Sequence, residues 1–453
     1  PRPEYSLAFD DTSLAGFVAF HGQHLVIEDA YDIPDSEPYS FNRSYDEKQG
    51  YRARSMLIVP MKDHRDTVVG VLQLINKKSD PGAVIRDELS SDRHVVGYEL
   101  RDVELVQSLA GQAAVSIENV RLYEEIENLF EGFIKASVIA IDQRDPATSG
   151  HSVRVATLTC DIAEVADGAT DGPFKDTQFS REQMRELRYA GLLHDFGKVG
   201  VREDVLVKSN KLPPVLLERI ESRFDLIRRT LESDFHEQRA EHLLKHGRDD
   251  FDSFLESLEE EHERSRSQID RFQDAIRESN VPRVLPEAST GILEDIATAT
   301  FRNFADQEVP YVTREELRFL SIPKGSLDAD ERLQIELHVT HTYNFLRQIP
   351  WTTNLAHVAD IAHGHHEKLD GTGYPRGIQA SEIAIQTRIM TVADIFDALT
   401  ASDRPYRKAL SAQRATEILD MEAKAGMLDR DVVALVVDSG VHHRIIEADW
   451  QEL

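Results

Sequence analysis

The first 79 residues alternate between short apolar runs and clusters of residues that favour turns. The runs cover Ala15–Phe20, Ser55–Met61 and Thr67–Asn76, and Pro, Gly, Asp and Asn are frequent between them. Apolar runs of this length, bounded by such residues, are typical of strands. The sequence therefore predicts a strand for each run, within an α+β domain of mixed sheet and helices over residues 1–100.

Residues 101–140 have the apolar spacing of one long helix. A 3-4-3-4-3 stripe, the pattern of a coiled-coil seam, is formed by Val103, Val106, Ala110, Ala113, Ile117 and Val120. A second stripe follows out of register at Leu122, Ile126, Leu129 and Phe133. Two interpretations stay open: a helix that packs on its own domain, or the helix of a parallel homodimer that passes a signal along the chain.

From residue 141 to the end, the pattern is almost entirely helical and predicts an all-α domain. Between about residues 224 and 321 charged residues are dense, while apolar residues are sparse and only partly periodic. This pattern predicts an inserted helical hairpin with solvated faces.

The composition limits the partners. The chain has 52 basic and 81 acidic residues, a net charge of −29, which disfavours DNA and anionic membranes as partners. The single Cys160 rules out an intramolecular disulfide and fits a reducing compartment. No apolar run approaches the roughly 18 residues of a membrane span and no signal peptide is visible, so we predict a cytoplasmic protein.

Potential metal ligands recur through the helical region: His151, His194, Asp195, His338, His365, His366 and Asp394. Imidazole and carboxylate groups suit Fe, Mn, Ni or Zn when the chain offers no cluster of thiolates. Any one of these histidines, taken alone, is more often an ordinary buried or surface residue. The joint pattern is much harder to obtain by chance.

This set of ligands suits two ions better than one. Neighbours on a helix diverge by about 100°, so His194 and Asp195 meet at one ion only at a helix end, unless the carboxylate turns to a second ion. Five histidines and two carboxylates also exceed what one ion of ordinary coordination number binds. Two ions about 3.5–4 Å apart activate a water and promote in-line displacement at phosphorus. The pattern therefore predicts a dinuclear centre for phosphoryl chemistry.

The segments around these residues resemble the HD-GYP family. The matching motifs are His151–Val155, His194–Gly200, His365–Pro375, which contains Gly-Thr-Gly-Tyr-Pro, and Asp394–Lys408. The likeness runs from Ile139 to Gly440, interrupted by the insertion. It implies a helical HD fold, an iron or manganese cluster, and hydrolysis of cyclic dinucleotides, chiefly cyclic di-GMP. It also implies that all seven residues are metal ligands.

One family histidine requires a choice. It stands eleven residues after a leucine that begins a helix. Leu212 to Arg223 and Leu327 to His338 both fit that spacing, and only the second ends in a histidine. His341, one turn further on, is the alternative. Some members bind a third metal through a glutamate four residues before the first histidine, where this chain has Ala147. We therefore expect two divalent transition metals, Fe in the first place and Mn as the alternative.

Further residues are expected to serve the reaction. Asp195 and Lys198 are the predicted catalytic pair, and substrate binding is predicted for Lys198, Tyr374, Arg404, Tyr406 and Lys408. For Lys198, the alternative is a helix-terminal lysine that binds carbonyl oxygens. For Arg404, Tyr406 and Lys408, the alternative is a purely structural loop after Asp394. Glu367 and Asp370 are expected to orient the ligating histidines.

Four N-terminal segments resemble the C-terminal half of a GAF domain, closest to the branch that responds to cyclic nucleotides. They are Asp29–Tyr31, Phe41–Asp46, Gly50–Pro60 and Gly70–Lys77. The resemblance implies a sensory or dimerising module with a possible small ligand; a structural remnant is the alternative.

The function predicted from these features is hydrolysis of cyclic di-GMP to pGpG, GMP or both, regulated by the GAF domain. The alternatives are a catalytically silent receptor for cyclic dinucleotides, a hydrolase of mixed cyclic GMP-AMP, and a phosphohydrolase of the wider HD class that acts on nucleoside phosphates. Besides the substrate, the predicted partners are a second copy bound through residues 101–140 and a protein at the Gly-Tyr-Pro loop.

Overall fold

The structure is a computed structural model that describes residues 12–49, 51–85, 87–145, 150–285, 287–401 and 409–444. The chain divides into two units, Pro1–Gly132 and Phe133–Leu453. Within the described ranges, none of the helices is both long enough and apolar enough to span a bilayer.

The first unit, in its described part, combines a small sheet with helices. Its elements are α1 (Leu14–His21), β1 (Leu25–Ile27), α2 (Ser44–Gln49), β2 (Met56–Lys62), β3 (Val68–Ile75), α3 (Glu88–His94) and the start of α4 (Leu100–Arg144). The sheet order is β1-β2-β3, and both strand pairings are antiparallel.

The central strand β2 is buried on both faces. Met56 and Ile58 point into a core that includes Leu14 and Val18 of α1. The intervening Leu57 and Val59 point to the opposite face, where α4 packs. Because successive side chains of a strand alternate between faces, one short strand serves two cores.

The prediction of a strand at Ala15–Phe20 is wrong, because these residues lie in α1. The Ser13 side chain accepts a hydrogen bond from the Gly16 amide, and Gly22 ends the helix with φ +63°. An unbroken apolar run does not by itself distinguish a buried strand from a buried helix. The caps at the two ends decide this case. Strands β2 and β3 confirm the other two predicted strands.

Helix α4 spans 45 residues. The first part of the predicted coiled-coil seam is not free for a partner, because Val103, Val106 and Ala110 are buried against Leu57 and Val59 of the same unit. At these three positions, the packing agrees with the interpretation of a helix that packs on its own domain.

The second unit is mainly helical over its described residues. Its helices are the end of α4, α5 (His151–Asp167), α6 (Arg181–Leu193), α7 (Glu203–Leu206), α8 (Pro214–His246), α9 (Phe251–Asn280), α10 (Glu287–Thr298), α11 (Arg314–Leu320), α12 (Ala329–Leu346), α13 (Val358–His363), α14 (Ile385–Thr400), α15 (Ala412–Lys424) and α16 (Arg430–Ser439). Two short strands, β4 (Thr300–Arg302) and β5 (Glu308–Pro310), form an antiparallel hairpin. The predicted fold class is confirmed.

The helices around the metal ligands form one packed group. Helix α5 packs against α6 and α14, and α12 packs against α13 and the 3-10 helix Phe196–Gly200. The core side of α5 carries Val155, Leu158 and Ile162, all fully buried. The seven candidate ligands lie on these helices or just beyond their ends.

The insertion has an apolar core of its own. Helices α8 and α9 form the predicted hairpin, and α10, the β4–β5 hairpin and α11 pack beside it. Phe224 of α8, Phe272 of α9, Ile296 of α10 and Leu320 of α11 belong to one buried cluster. The far end of the hairpin is solvated, as its charge pattern predicts.

Candidate metal centre

The two adjacent ligand pairs lie just beyond helix ends. Helix α6 ends at Leu193, so His194 and Asp195 occupy the turn that follows it. Helix α13 ends at His363, and His365 and His366 follow in the same way. The backbone turns there, so neighbouring side chains need not diverge by the helical angle of about 100°. This position allows both members of each pair to face one centre.

Three of the imidazoles are held in the same way. The Nδ1 atoms of His194, His338 and His365 lie 2.7, 2.5 and 2.6 Å from the carbonyl oxygens three residues earlier. A carbonyl oxygen only accepts, so Nδ1 carries the proton and Nε2 is the free lone pair. All three Nε2 atoms are buried without a hydrogen-bond partner among the described residues. Buried, unpartnered lone pairs are what a cation would satisfy.

His151 is oriented by a carboxylate instead. Its Nδ1 lies 2.7 Å from Asp397 Oδ2, and Arg154 Nε donates to the other oxygen of Asp397 at 2.6 Å. Burial lowers the pKa of His151, but hydrogen bonds to Asp394 and Asp397 outweigh burial and raise that pKa to about 9. Neither Asp397 nor Arg154 is among the predicted site residues. The spacing of Asp394 and Asp397, three apart on one helix, is the signal in the sequence.

Asp195 faces two groups of histidines at once. Its Oδ1 lies 3.2 Å from His338 Nε2, and its Oδ2 lies 3.4 Å from His194 Nε2 and 3.6 Å from His151 Nε2. Ligands bound at about 2.0–2.3 Å to one ion are separated by roughly 3.0–3.7 Å. Each carboxylate oxygen therefore lies at a suitable distance to share an ion with the histidines it faces.

Asp394 repeats this arrangement more loosely. Its Oδ1 lies 3.2 Å from His151 Nε2, and its Oδ2 lies 3.8 Å from His366 Nδ1. The ligand atoms form two groups, each within 4.8 Å, made by His151, His194 and Asp195 and by His338, His365 and His366. Two groups of three ligands, of which Asp195 is one, together with Asp394 fit two cations better than one.

The protonation states of three histidines and of Asp195 suit cations. Burial lowers the pKa of His194 and His365, and it lowers that of His366 to about 4, so these imidazoles are neutral. Burial opposes ionisation of Asp195, but Lys198 and the nearby histidines hold its pKa well below the usual range. Neutral imidazoles and ionised carboxylates are the forms that bind divalent metals.

His341 does not face this centre. It packs at Gly200, where an added Cβ would lie 2.8 Å from His341 Nδ1. Of the two alternatives for the remaining histidine, the geometry therefore favours His338.

Lys198 lies half-buried in the 3-10 helix that follows the His-Asp pair. Its Nζ lies 2.9 Å from Asp195 Oδ2 and 3.2 Å from Asp145 Oδ2. The alternative of a helix-terminal lysine that binds carbonyl oxygens is wrong, because α6 ends before it and Nζ meets carboxylates. Lys198 offsets part of the negative charge of the centre.

The predicted roles of Glu367 and Asp370 are wrong. Glu367 accepts hydrogen bonds from the amides of Arg376 and Ile378 at 2.8 and 3.2 Å, and so closes the Gly-Tyr-Pro loop. The Asp370 side chain is hydrogen-bonded at 2.7–3.0 Å only to Thr372 within the described residues. Backbone carbonyl groups orient His194, His338 and His365 instead, because each carbonyl lies one helical turn before its ligand.

The Gly-Tyr-Pro loop lies next to His366, the most exposed of the candidate ligands. The Tyr374 amide donates to the His366 carbonyl at 3.2 Å, and the two rings are 4.8 Å apart. The His366 side chain is 28% exposed, whereas those of His151, His194, Asp195, His338 and Asp394 are at most 9% exposed. A ligand would therefore reach the centre past His366 and Tyr374. Arg404, Tyr406 and Lys408, with Ala147, lie outside the described residues.

Two threonines fix the backbone of the histidine pairs. Thr342 Oγ1 donates to the His194 carbonyl at 2.8 Å and accepts from the Gly197 amide at 2.8 Å. Thr391 Oγ1 lies 3.0 Å from the His365 carbonyl. Both threonines were absent from the predicted site. Thr342 lies one turn after His338, a spacing that identifies it only once the fold is known.

Models of known families match most of the chain in three parts. A GAF domain model matches residues 2–117, and two HD domain models match residues 148–288 and 315–432. The first match contains the four segments that carry the GAF resemblance. The HD matches contain all seven candidate ligands.

Several curated relatives align with shorter parts. The 3'3'-cGAMP-specific phosphodiesterase 3 of Vibrio cholerae is 46% identical over 97 residues, which are 21% of this chain and 20% of the relative. The 3'3'-cGAMP-specific phosphodiesterase 1 of the same organism is 38% identical over 113 residues, 25% of each chain. A cyclic di-GMP phosphodiesterase of Pseudomonas aeruginosa is 47% identical over 58 residues, 13% of this chain and 14% of the relative. The chain thus spans between 14% and 25% of the length of these relatives.

Proposed function

We propose that this chain, which combines a GAF domain with an HD region of the HD-GYP type, is a metal-dependent phosphodiesterase that hydrolyses cyclic di-GMP to pGpG, GMP or both. The observation that carries the proposal is the convergence of His338 and His194 on the two oxygens of Asp195, at 3.2 and 3.4 Å. The names of the relatives support the class of substrate.

The proposed ligands are the seven residues named from the sequence. His151 and His194 would hold one cation, and His338, His365 and His366 the other, with Asp195 and Asp394 between them. Two such cations, Fe or alternatively Mn, supply Lewis-acid activation of a water and of the phosphodiester.

The remaining side chains bind and position the substrate. Tyr374 and His366 border the open side, so the dinucleotide is proposed to enter there and stack on the Tyr374 ring. Lys198 is proposed to stabilise the negative charge that grows on the phosphate, since it already lies beside Asp195. Arg404, Tyr406 and Lys408 are proposed to bind the second phosphate or a guanine.

The proposal is tested with protein purified without oxygen and supplied with Fe(II) or Mn(II). We expect cyclic di-GMP to yield pGpG or GMP, with about two metal ions per chain by elemental analysis. The same assay is run with 3'3'-cGAMP and with nucleoside triphosphates. Bound but uncut dinucleotide in a fully metallated protein would favour the receptor, and cleavage of nucleoside triphosphates alone would favour the wider HD class.

We also propose that α4 pairs two copies of the chain and that the GAF domain regulates hydrolysis through it. The helix is continuous from Leu100 to Arg144. Between residues 115 and 129 its exposed large apolar side chains include Val115, Leu122, Ile126 and Leu129. These positions fit one heptad register, in which the exposed Asn119 falls at an a position, a residue that specifies the register of dimeric coiled coils. This register replaces the seam predicted at Val103, Val106 and Ala110.

The double substitution Leu122→Glu, Ile126→Glu is expected to convert a dimer into monomers, because it places like charges across the proposed seam. Sedimentation equilibrium measures the mass. Glu124→Gln, on the outer side of the same turn, serves as the control and should leave the dimer intact. A wild-type monomer, or a double variant that stays dimeric, would contradict this seam.

A further inference from the structure

We propose that the groove between α8, α9 and β4 binds an extended, basic segment of a partner protein, which adds as a strand to the free edge of β4. The groove belongs to the insertion, and its proposed role is independent of hydrolysis at the metal centre.

The groove is large enough for a peptide. Its volume is about 810 Å³, within the range of roughly 300–1,000 Å³ of ligand sites. One side is lined by α8 and α9, which contribute Ile227, Leu231, Ile269 and Phe272. These side chains give the groove an apolar floor, continuous with the core of the insertion.

The other side is the edge of a strand. Six consecutive residues, Ala299–Phe304, line the groove. Because side chains of a strand alternate between faces, a consecutive run indicates that the backbone itself borders the cavity. The groove therefore offers a strand edge as well as side chains.

The backbone groups on that edge are available. The Tyr311 amide donates to the Ala299 carbonyl and the Asn303 amide to the Gln307 carbonyl, both toward β5. In an antiparallel pair the intervening Thr300 and Arg302 must then point their amides and carbonyls away from β5. Within the described residues, neither residue's amide or carbonyl is hydrogen-bonded to another backbone group on that side. A strand edge of this kind pairs readily with an added peptide.

The charge of the groove selects the partner. Asp234 and Glu237 of α8 line it one turn apart, and both are exposed. Neither forms a salt bridge within the described part of the chain, whereas Arg302 is paired with Asp306 at 3.0 Å. A basic side chain at alternate positions of an added strand would meet these carboxylates, while the intervening apolar side chains would reach the floor. The occupant is therefore expected to alternate basic and apolar residues.

The test uses a fluorescein-labelled hexapeptide of alternating Val and Lys and the full chain, with anisotropy as the readout. We expect saturable binding, at least about tenfold tighter than that of the Val–Glu hexapeptide. Asp234→Lys, Glu237→Lys is expected to weaken binding by at least about tenfold. Thr300→Pro, which removes one outward amide, is expected to weaken it too, whereas Thr300→Val keeps the amide and should bind normally.

A matched control separates the groove from the overall acidity of the chain. Glu259→Lys, Glu263→Lys makes the same change of charge on exposed positions of α9 that do not line the groove. Binding should be unchanged in this variant. The proposal is overturned by equal weakening in the two charge variants, by full binding to Asp234→Lys, Glu237→Lys, or by no binding of the Val–Lys peptide at all. It is also overturned if the charge variant at the groove lowers the mass of the protein in sedimentation, since the occupant would then be a second copy.

Discussion

Replacing Asp195 by asparagine is expected to lower the hydrolysis of cyclic dinucleotides by about a thousandfold, equivalent to about 4 kcal/mol in the barrier. Each oxygen of Asp195 faces a different group of histidines. Asparagine keeps the shape but replaces one oxygen by an NH2 group, which donates and cannot bind a cation. It also removes a negative charge from between the two proposed ions.

Metal content gives an independent measure of the same change. The metal content measured by elemental analysis should fall from about two ions per chain to one or fewer. Asp204→Asn serves as the control, because this carboxylate is 63% exposed and pairs only with Arg202 within the described residues. It should leave both activity and metal content unchanged. An Asp195→Asn protein with full metal content and full activity would remove Asp195 from the centre.

The residues that converge could be selected from the sequence, whereas the groups that support them could not. The seven candidate ligands were selected by residue type and by motif, and the described structure brings all of them together. What holds them is different: a carbonyl three residues earlier orients His194, His338 and His365. Every helix offers such carbonyls, so nothing in the residue types indicates which ones are used.

Long-range partners were the least predictable. Thr342 touches His194 and Gly197 across 148 and 145 positions of the chain. A hydroxyl group has many possible partners, and only the packing of α12 on the 3-10 helix selects these two. Asp397 is similar, because its contact with His151 depends on how α14 packs on α5.

Apolar patterns predicted the fold except where one pattern fits two structures. The matches to GAF and HD domains confirm the two kinds of domain. The run that became α1 carries no alternation, and its caps were the only local guide. In α4, two apolar stripes compete for the role of seam. Val103 and Val106 pack against the sheet instead of a second helix, and this packing depends on the position of β2.

Replacing Gly197 by alanine is expected to lower the free energy of unfolding of the HD region by at least about 3 kcal/mol. An added Cβ would lie 2.6 Å from the Thr342 amide nitrogen and 2.8 Å from the His338 carbonyl carbon, and closer still to the His338 oxygen. These neighbours are backbone atoms of α12, so no side chain can rotate away. Either α12 or the 3-10 helix must shift, which separates His338 from His194 and Asp195.

Differential scanning calorimetry measures the effect as a lower melting temperature, by at least about 6 °C. Gly291→Ala is the matched control, since Gly291 lies in α10 and an added Cβ there meets nothing within 4 Å. That change should be neutral or stabilise by about 0.5–1 kcal/mol, because alanine has the higher helix propensity. If Gly197→Ala melted with the wild type and kept its metal, the close packing of the His-Asp turn on α12 would be unnecessary for the centre. A loss of both stability and metal would instead show that one contact between backbones positions the two groups of ligands.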